Sequence, residues 1–288
     1  MLKPGVILQF LDNFGLNADG ENMQFKDLNM SNKRVENIAK AMDEVTQVQK
    51  MDLSVNGIAD INPLKDCVNL IKLNVSKNKV KNIGIFATEE AFPNLKWLDV
   101  SANKFTSFPA FKVPKLEYLD ISYNKLEKVD EGWQTHERLR IVKCVDNKFK
   151  NLAVFKNLPA LEELNMTSNM VSTLTGELAL PKLRKLNLKR NKISKVEEEG
   201  IPDLPALEKL NLHGNNLPDL EVLFKLMAAF PTAVDINVTK NPVEQNATHF
   251  NLLLAEVMTK NTKIQRFCKV KIEERNKMES VHLQDYRW

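Results

Sequence analysis

The sequence predicts a right-handed α/β solenoid whose short parallel strands form one sheet on the concave face. Three observations predict it. An eleven-residue pattern, L-x-x-L-x-L-x-x-N-x-I, recurs along most of the 288 residues and is cleanest at Leu183–Ile193 (LRKLNLKRNKI). Successive copies begin 21 to 26 residues apart, and nine copies carry asparagine at the ninth position. A period of this length with this signature corresponds to one strand and one return segment per copy.

About ten repeats of about 22 residues each fill the region 25–243. In each, the first, fourth, sixth and eleventh side chains are predicted to stack inward, and the ninth-position asparagine to hydrogen-bond loop backbone that would otherwise be buried unpaired. The first copy is atypical, with Lys33 at the ninth position. The copies start at Phe25, Val48, Leu70, Leu95, Leu116, Leu139, Leu161, Leu183, Leu207 and, in degenerate form, Ala233.

A helical cap is predicted at each end, because the outermost strands of a solenoid expose unpaired edges and core. Residues 1–24 are predicted to form the N-terminal helical cap, since Val6, Ile7, Phe10, Leu11 and Phe14 lie at helical spacing. A docking helix for a partner is the alternative for this segment. The C-terminal helical cap is predicted at 244–270, and a charged helical tail at 271–288.

The return segments between strands are short and contain prolines, which favours turns or 3₁₀ helices over full α-helices. The last return is different. Leu220–Phe230 (LEVLFKLMAAF) is apolar at helical spacing and long enough for three turns, so an α-helix is predicted there.

The composition narrows the function. The 41 basic and 37 acidic residues are interleaved, which disfavours a nucleic-acid partner. No apolar run is long enough for a membrane helix, and the first residues do not resemble a secretory signal. Cys67, Cys144 and Cys268 are widely separated, unlike the clustered cysteines of disulfide-bonded caps. We therefore expect an intracellular protein with no membrane partner.

No pattern for catalysis is present. The histidines (His136, His213, His249 and His282) lie in unrelated settings without metal-ligand spacing, and no phosphate loop or nucleophile elbow occurs. Asp99 and Asp120 form a possible carboxylate pair on neighbouring strands, but polar fifth positions are generated by the repeat itself. We predict no catalytic residue, no metal and no cofactor, and hence a non-enzymatic protein.

A partner surface is predicted from the third, fifth and seventh positions, which alternate with the buried leucines and line the concave face. Reading down the third position places Trp97, Tyr118 and Ile141 on consecutive strands, with Tyr123 beside them. Grouped exposed aromatics of this kind anchor protein interfaces. Coverage by a terminal segment of the same chain is the alternative.

A basic cluster is predicted on the eighth and ninth copies, where an acidic segment could bind. A solvated basic face is the alternative reading. The residues are Lys185, Lys189, Arg190, Lys209 and His213.

The repeats and the N-x-I-x-x-I-like turns (Asn191, Ile193, Val196) resemble the intracellular, Sds22-like class of leucine-rich repeats. The opening KPGVILQFLDNFGLNADGENMQFKDLNMSNKRVENI and the late segment IEERNKMES resemble the radial-spoke leucine-rich-repeat family of motile cilia (leucine-rich repeat-containing protein 23 type). This resemblance implies a non-enzymatic scaffold of the ciliary axoneme, bound in a hetero-complex to other radial-spoke proteins. A regulatory subunit of a protein phosphatase and a dynein- or microtubule-associated light chain are the alternatives.

Overall fold

The computed structural model describes the chain as two compact units, 1–147 and 148–288. The described residues are 5–16, 23–88, 92–128, 136–156, 158–174, 178, 180–196, 202–246, 257 and 263–272.

The first unit is built on a sheet in which each predicted copy of the pattern supplies one strand. Parallel pairing joins β2 to β7 in chain order, and it aligns the third, fourth and fifth positions of neighbouring copies. The strands are β1 (Leu11–Leu16), β2 (Met23–Asn29), β3 (Lys50–Asp52), β4 (Lys72–Asn74), β5 (Trp97–Asp99), β6 (Tyr118–Asp120) and β7 (Ile141–Lys143).

The second unit repeats this arrangement. Strands β8, β10, β12, β13 and β14 are parallel neighbours in that order, and β15 returns antiparallel to β14. A separate parallel pair joins β9 and β11. The strands are β8 (Glu163–Asn165), β9 (Thr173–Leu174), β10 (Lys185–Asn187), β11 (Lys195–Val196), β12 (Lys209–Asn211), β13 (Asp235–Asn237), β14 (Arg266–Phe267) and β15 (Val270–Lys271).

The core is the stack of inward positions that the pattern predicts. Fourth-, sixth- and eleventh-position side chains of every copy are buried, as are the first-position side chains after the first copy. Phe25, in the first copy, is instead 38% exposed. In the first unit the returns add a phenylalanine cluster, in which the ring centroids of Phe92 and Phe111 each lie about 5 Å from that of Phe86.

The ninth-position asparagines bind loop backbone, as predicted. The Nδ2 of Asn103 donates to the carbonyls of Val75, Val100 and Ser101, and its Oδ1 accepts from the N–H of Val80 at 3.0 Å. In the atypical first copy, the Oδ1 of Asn56 from the next copy accepts the N–H groups of Lys33 and Val35. Each asparagine therefore joins two neighbouring copies.

The returns contain short 3₁₀ helices, as the prolines and short lengths predict. They span Met42–Glu44, Asn62–Asp66, Gly84–Ala87 and Ala153–Phe155. The predicted helix in the last return is confirmed as α1 (Leu220–Ala229), whose N-cap Asp219 accepts from the N–H of Val222. It buries Leu223, Leu226 and Met227.

The N-terminal cap is not the helix that the spacing predicts. A 3₁₀ helix spans only Ile7–Phe10, and the chain then continues as β1, antiparallel to β2. A strand satisfies the backbone groups along the open edge of β2, which a helix cannot do. Of the apolar residues that suggested the helix, Ile7 is buried and Phe14 is 57% exposed.

At the C-terminal end, a short helix α2 (Pro242–Asn246) follows the last copy, and the β14–β15 hairpin pairs with β13. Ile264 and Phe267, within the cap predicted at 244–270, are buried. The middle of the helical cap predicted at 244–270 lies outside the described residues except for Val257, which is helical and buried. The charged tail predicted at 271–288 also lies outside them from residue 273 onward, and its first residue, Lys271, belongs to β15 and not to a helix.

Candidate protein-interaction surfaces

We use the term sheet face for the side chains at the third, fifth and seventh positions of the copies. A turn at the end of each strand fixes the fifth-position side chain. In nine copies the fifth-position Oδ1 accepts the backbone N–H two residues later, at 2.8–3.1 Å. The eighth position follows in the left-handed region, with φ between 51° and 67° in all ten copies. The sixth copy departs at the fifth position, where Lys143 replaces the acceptor and Ser122 Oγ binds the N–H of Val145 instead.

An aromatic ladder crosses the sheet face of the first unit; we use this name for Lys72, Trp97, Tyr118, Ile141 and Lys143. The first four are third-position residues aligned on β4 to β7. The rings of Trp97 and Tyr118 are stacked, with centroids 5.0 Å apart and planes at 6°. Both side chains are half-buried, and Ile141 lies beside Tyr118.

A lysine covers each outer face of the stacked rings. The Nζ of Lys72 lies 4.3 Å from the Trp97 centroid, and the Nζ of Lys143 lies 5.2 Å from the Tyr118 centroid. Such cation–π contacts contribute about 0.5–1 kcal/mol each at exposed sites. The two lysines therefore hold the ring pair in one geometry in the unbound protein. The surface left for a partner consists of the ring edges, the indole N–H and the phenol.

Two carboxylates flank the ladder. Asp99 and Asp120 are aligned fifth-position residues, and the hydroxyl of Tyr118 donates to Asp120 Oδ2 at 3.4 Å. Burial, with a smaller contribution from Asp120, raises the pKa of Asp99 against the turn hydrogen bonds that lower it. The hydrogen bond to Tyr118 is the largest cause of the raised pKa of Lys143, and both carboxylates add to it. Lys143 is thus a fixed cation between a phenol and two acids.

Tyr123 lies at an eighth position with φ 55°, 57% exposed, so the left-handed turn presents its ring to solvent. Within the described residues its ring makes no contact with that of Tyr118. Tyr123, which the sequence groups with the aromatic surface, therefore lies outside the ladder. The lysines of the ladder are the residues that sequence reasoning missed. The signal was available, since Lys72 is a third-position residue next to Trp97 and Lys143 interrupts the column of fifth-position acids and amides.

The predicted basic cluster lies on the second unit. Lys185 and Lys209 are aligned third-position residues on β10 and β12, and Lys189 and His213 hold the matching seventh positions. Arg190 is at a left-handed eighth position, where its N–H donates to the carbonyl of His213. The structure therefore brings all five predicted residues onto two neighbouring copies.

His213 reports the positive potential of this cluster. Its Nδ1 lies 2.6 Å from the hydroxyl oxygen of Thr239. Burial lowers the pKa of His213, and Lys189, Lys240, Lys269 and Arg190 lower it further. Lys240 and Lys269, which sequence reasoning missed, thus belong to the same charged region.

Comparison with known proteins agrees with this repeat. Residues 177–217 match the family model described as leucine rich repeat. The fold is that of solved leucine-rich-repeat proteins such as the LRIM1/APL1C complex. The alignment has a TM-score of 0.64, covers 80% of this chain and 40% of that chain, and has 22% sequence identity. A complex of TLR13 with ssRNA13 aligns with a TM-score of 0.63 over 88% of this chain and 40% of that chain, at 16% identity. The chain is a leucine-rich-repeat protein.

Among curated relatives, this leucine-rich-repeat protein is similar to Tsukushi of Xenopus tropicalis, with 30% identity over 59% of this chain and 51% of the relative. It is also similar to Protein PAC2 of Saccharomyces cerevisiae, with 26% identity over 87% of this chain and 52% of the relative. The chain thus spans about half the length of these relatives.

Leucine-rich-repeat proteins generally act as non-enzymatic protein-interaction scaffolds. In this one, burial with Asp66 and Asp43 nearby raises the pKa of Cys67 to about 12, and burial raises that of Cys268 to about 11, so both thiols are protonated near neutral pH. His136 is buried against Phe111, and burial lowers its pKa. Among the described residues, no group of three or more His, Cys, Asp or Glu is placed to hold a metal, and no helix is both long and apolar enough to span a membrane.

Proposed function

We propose that this leucine-rich-repeat protein is a non-enzymatic structural subunit of the ciliary axoneme, in the radial-spoke complex, and that it binds a protein of that complex through the aromatic ladder. The observation that carries the interaction is the stacked Trp97–Tyr118 pair on the sheet face, fixed by Lys72 and Lys143. The axonemal assignment is supported by the resemblance of the opening segment and of IEERNKMES to the radial-spoke family.

The ladder has the features of an interface anchor. Tryptophan and tyrosine dominate measured binding energies because they bury a large area with few rotatable bonds, and residues at the centre of an interface contribute most. The rings here are already ordered by two cations and by their own stacking, so binding loses little side-chain entropy. The neighbouring Asp99 and Asp120 select for a partner that carries a hydrogen-bond donor or a cation beside its apolar group.

A first experiment locates the protein. Cilia are fractionated into detergent-soluble and axonemal material, axonemes are extracted with salt, and proteins co-purifying with this chain are identified by mass spectrometry. Co-purification with radial-spoke subunits is expected. Recovery in the detergent-soluble fraction with a phosphatase catalytic chain would overturn the axonemal proposal in favour of the Sds22-like alternative.

A second experiment tests the ladder. The double variant Trp97→Ala, Tyr118→Ala is expected to weaken binding to the co-purified partner by about 30-fold or more, which corresponds to about 2 kcal/mol. Phe14→Ala, Phe25→Ala is the matched control, because it removes another exposed aromatic pair with a 5.0 Å centroid distance from the same unit. Circular dichroism checks that both variants are folded, and equal affinities would eliminate the ladder as the site.

A further inference from the structure

A groove on the sheet face of the second unit, separate from the aromatic ladder, is lined by positive side chains. Its volume is about 270 Å³. The cations that line it are Lys185 on β10, Lys209 on β12, Arg266 on β14, and Lys269 in the turn that follows. The sequence pattern includes only the first two, because Arg266 and Lys269 lie beyond the last copy and reach the groove through the β14–β15 hairpin.

The described residues neutralise only part of the positive charge of the groove. Lys185 pairs with Glu163, and the Nε of Arg266 lies 3.9 Å from Asp235 Oδ2. Lys209 is aligned with Lys185 on one side and with Asp235 on the other. Within the described residues neither Lys209 nor Lys269 has a carboxylate within 4.0 Å. Among the described residues, the side chains of Lys209 and Lys269 are therefore unpaired and available to bind an anionic group.

Beside these cations lie three fifth-position asparagines, which we call the amide column. Their side chains present hydrogen-bond donors to the groove. Asn187, Asn211 and Asn237 use Oδ1 to accept the backbone N–H two residues later, each at 3.1 Å. Their Nδ2 groups make no hydrogen bond within the described part of the chain, so each has two unused N–H donors. In the first unit Asp99 and Asp120 close the same turn and leave a carboxylate oxygen in this place. Equivalent turns thus give the two sheet faces opposite polarity.

We propose that this groove binds an extended acidic segment of a partner protein, which runs across the strands between Lys185 and Arg266 and places carboxylates against Lys209 and Lys269. The strands that carry Lys185 and Arg266 are three intervals apart, about 14 Å, and four residues of extended chain cover about 13 Å. Acidic residues at alternate positions of such a segment all point to one side, about 6.6 Å apart. An alternating acidic sequence therefore matches the cations and the donors of the amide column.

A protein segment fits better than a nucleic acid. Single-stranded nucleic acids are bound by basic grooves that also contain aromatic side chains for base stacking, and the described residues that line this groove include no aromatic. Asp235 also lines the groove among the cations. The same carboxylate can accept an N–H from a peptide backbone, a group that the sugar-phosphate chain lacks.

Fluorescence anisotropy with the full chain tests the proposal. The probe is a labelled nine-residue peptide of alternating Glu and Ala, compared with its Gln–Ala counterpart and with a nine-nucleotide oligothymidylate. Saturable binding of the Glu peptide is expected, at least tenfold tighter than binding of the Gln peptide, and weakened by salt. Equal affinity for the two peptides would overturn the proposal, and tighter binding of the oligonucleotide would replace it with nucleic-acid binding.

Two variants locate the site. Lys209→Gln is expected to weaken binding of the Glu peptide about tenfold. Asn211→Asp retains the turn, as Asp99 does, but replaces donors with an acceptor, so it is expected to weaken binding at least as much with an unchanged melting temperature. Asn74→Asp on the first unit is the matched control and should leave binding unchanged. If Asn211→Asp binds as the unaltered chain does, the groove is not the site. None of these residues belongs to the aromatic ladder, so this proposal and the proposed function can fail separately.

Discussion

Replacing Asp99 with asparagine is expected to stabilise the fold at neutral pH. Asp99 is half-buried on the sheet face and aligned with Asp120 on the next strand. Its Oδ1 accepts the N–H of Ser101 at 2.8 Å, and Asn74 makes the same bond to Ser76 at 3.0 Å. Asparagine therefore preserves the turn and removes only the charge.

The sign of the change in the free energy of unfolding depends on two opposing effects of Asp99→Asn. A hydrogen bond to a charged acceptor contributes about 1 kcal/mol more than one to a neutral acceptor, and the substitution loses this difference. It relieves the repulsion between like charges on opposed residues, about 0.2–1 kcal/mol, and the desolvation of a half-buried carboxylate. Because burial, the largest cause, leaves the pKa of Asp99 raised in spite of the turn hydrogen bonds, the relief outweighs the loss. We expect a gain of about 0.5–1 kcal/mol in the free energy of unfolding.

The pH dependence separates this explanation from others. A raised pKa means that the native state binds the proton more tightly than the unfolded state. The contribution of Asp99 to stability therefore falls as the pH rises from below 3.8 through the raised native pKa. The gain of Asp99→Asn should be absent near pH 3 and complete near pH 7, as measured by urea denaturation followed by circular dichroism.

Asp52→Asn is the matched control for Asp99→Asn. Asp52 closes the same turn, but its aligned neighbours are Asn29 and Asn74, so no like charge is relieved. Its Oδ2 also accepts from Asn74 Nδ2 at 3.3 Å, a bond that the substitution removes. The control should gain nothing near pH 7. A gain for Asp99→Asn that is equal at both pH values, or a loss near pH 7, would refute the reasoning.

Three further outcomes are expected. Asn103→Ala should lower the free energy of unfolding in urea by about 2 kcal/mol, because the buried N–H of Val80 loses its acceptor and the carbonyls of Val75, Val100 and Ser101 each lose one of their donors. In the same assay, Gly214→Ala should destabilise by about 1 kcal/mol since its φ is +67°, and Val55→Gly, at φ 57°, should stabilise; the opposite order would contradict the left-handed eighth position. The Glu peptide should bind more tightly as the pH falls from neutral to mildly acidic, because bound carboxylates favour the protonated form of His213, whose pKa is lowered by burial and then by its neighbouring cations; His213→Gln should remove this dependence.

The regular part of the fold was predictable because one local pattern satisfies several physical requirements together. The same residues alternate with the strand period, fill the core and supply the asparagine that binds the loops, so the predicted strands coincide with the observed ones. The N-terminal segment has no such redundancy. Leu11 and Phe14 fit a helical spacing, but in the structure they lie in β1, because the open edge of β2 needs a strand. The spacing of a few apolar residues contains no information on which backbone groups of a neighbouring strand remain unpaired, so it could not predict this strand.

The candidate sites were predictable only in part for a related reason. Trp97 and Tyr118 could be placed on adjacent strands by counting, but their stacking at 6° and the lysine over each ring depend on side-chain conformation. Lys185 and Lys209 were likewise found by counting. Arg266 reaches the same groove from a hairpin outside the repeat, which no period could indicate.

The fifth position shows how a conserved geometry can carry variable chemistry within one chain. Asparagine and aspartate both supply the Oδ1 that closes the turn, so the turn forms with either residue. They differ in the atom that remains, a donor in Asn211 and an acceptor in Asp99. A mixture of the two along the array therefore keeps the turn in each copy while it sets the hydrogen-bonding character of each segment of the sheet face. For a scaffold this separation matters, because partner preference can change copy by copy while the stack of strands beneath stays the same.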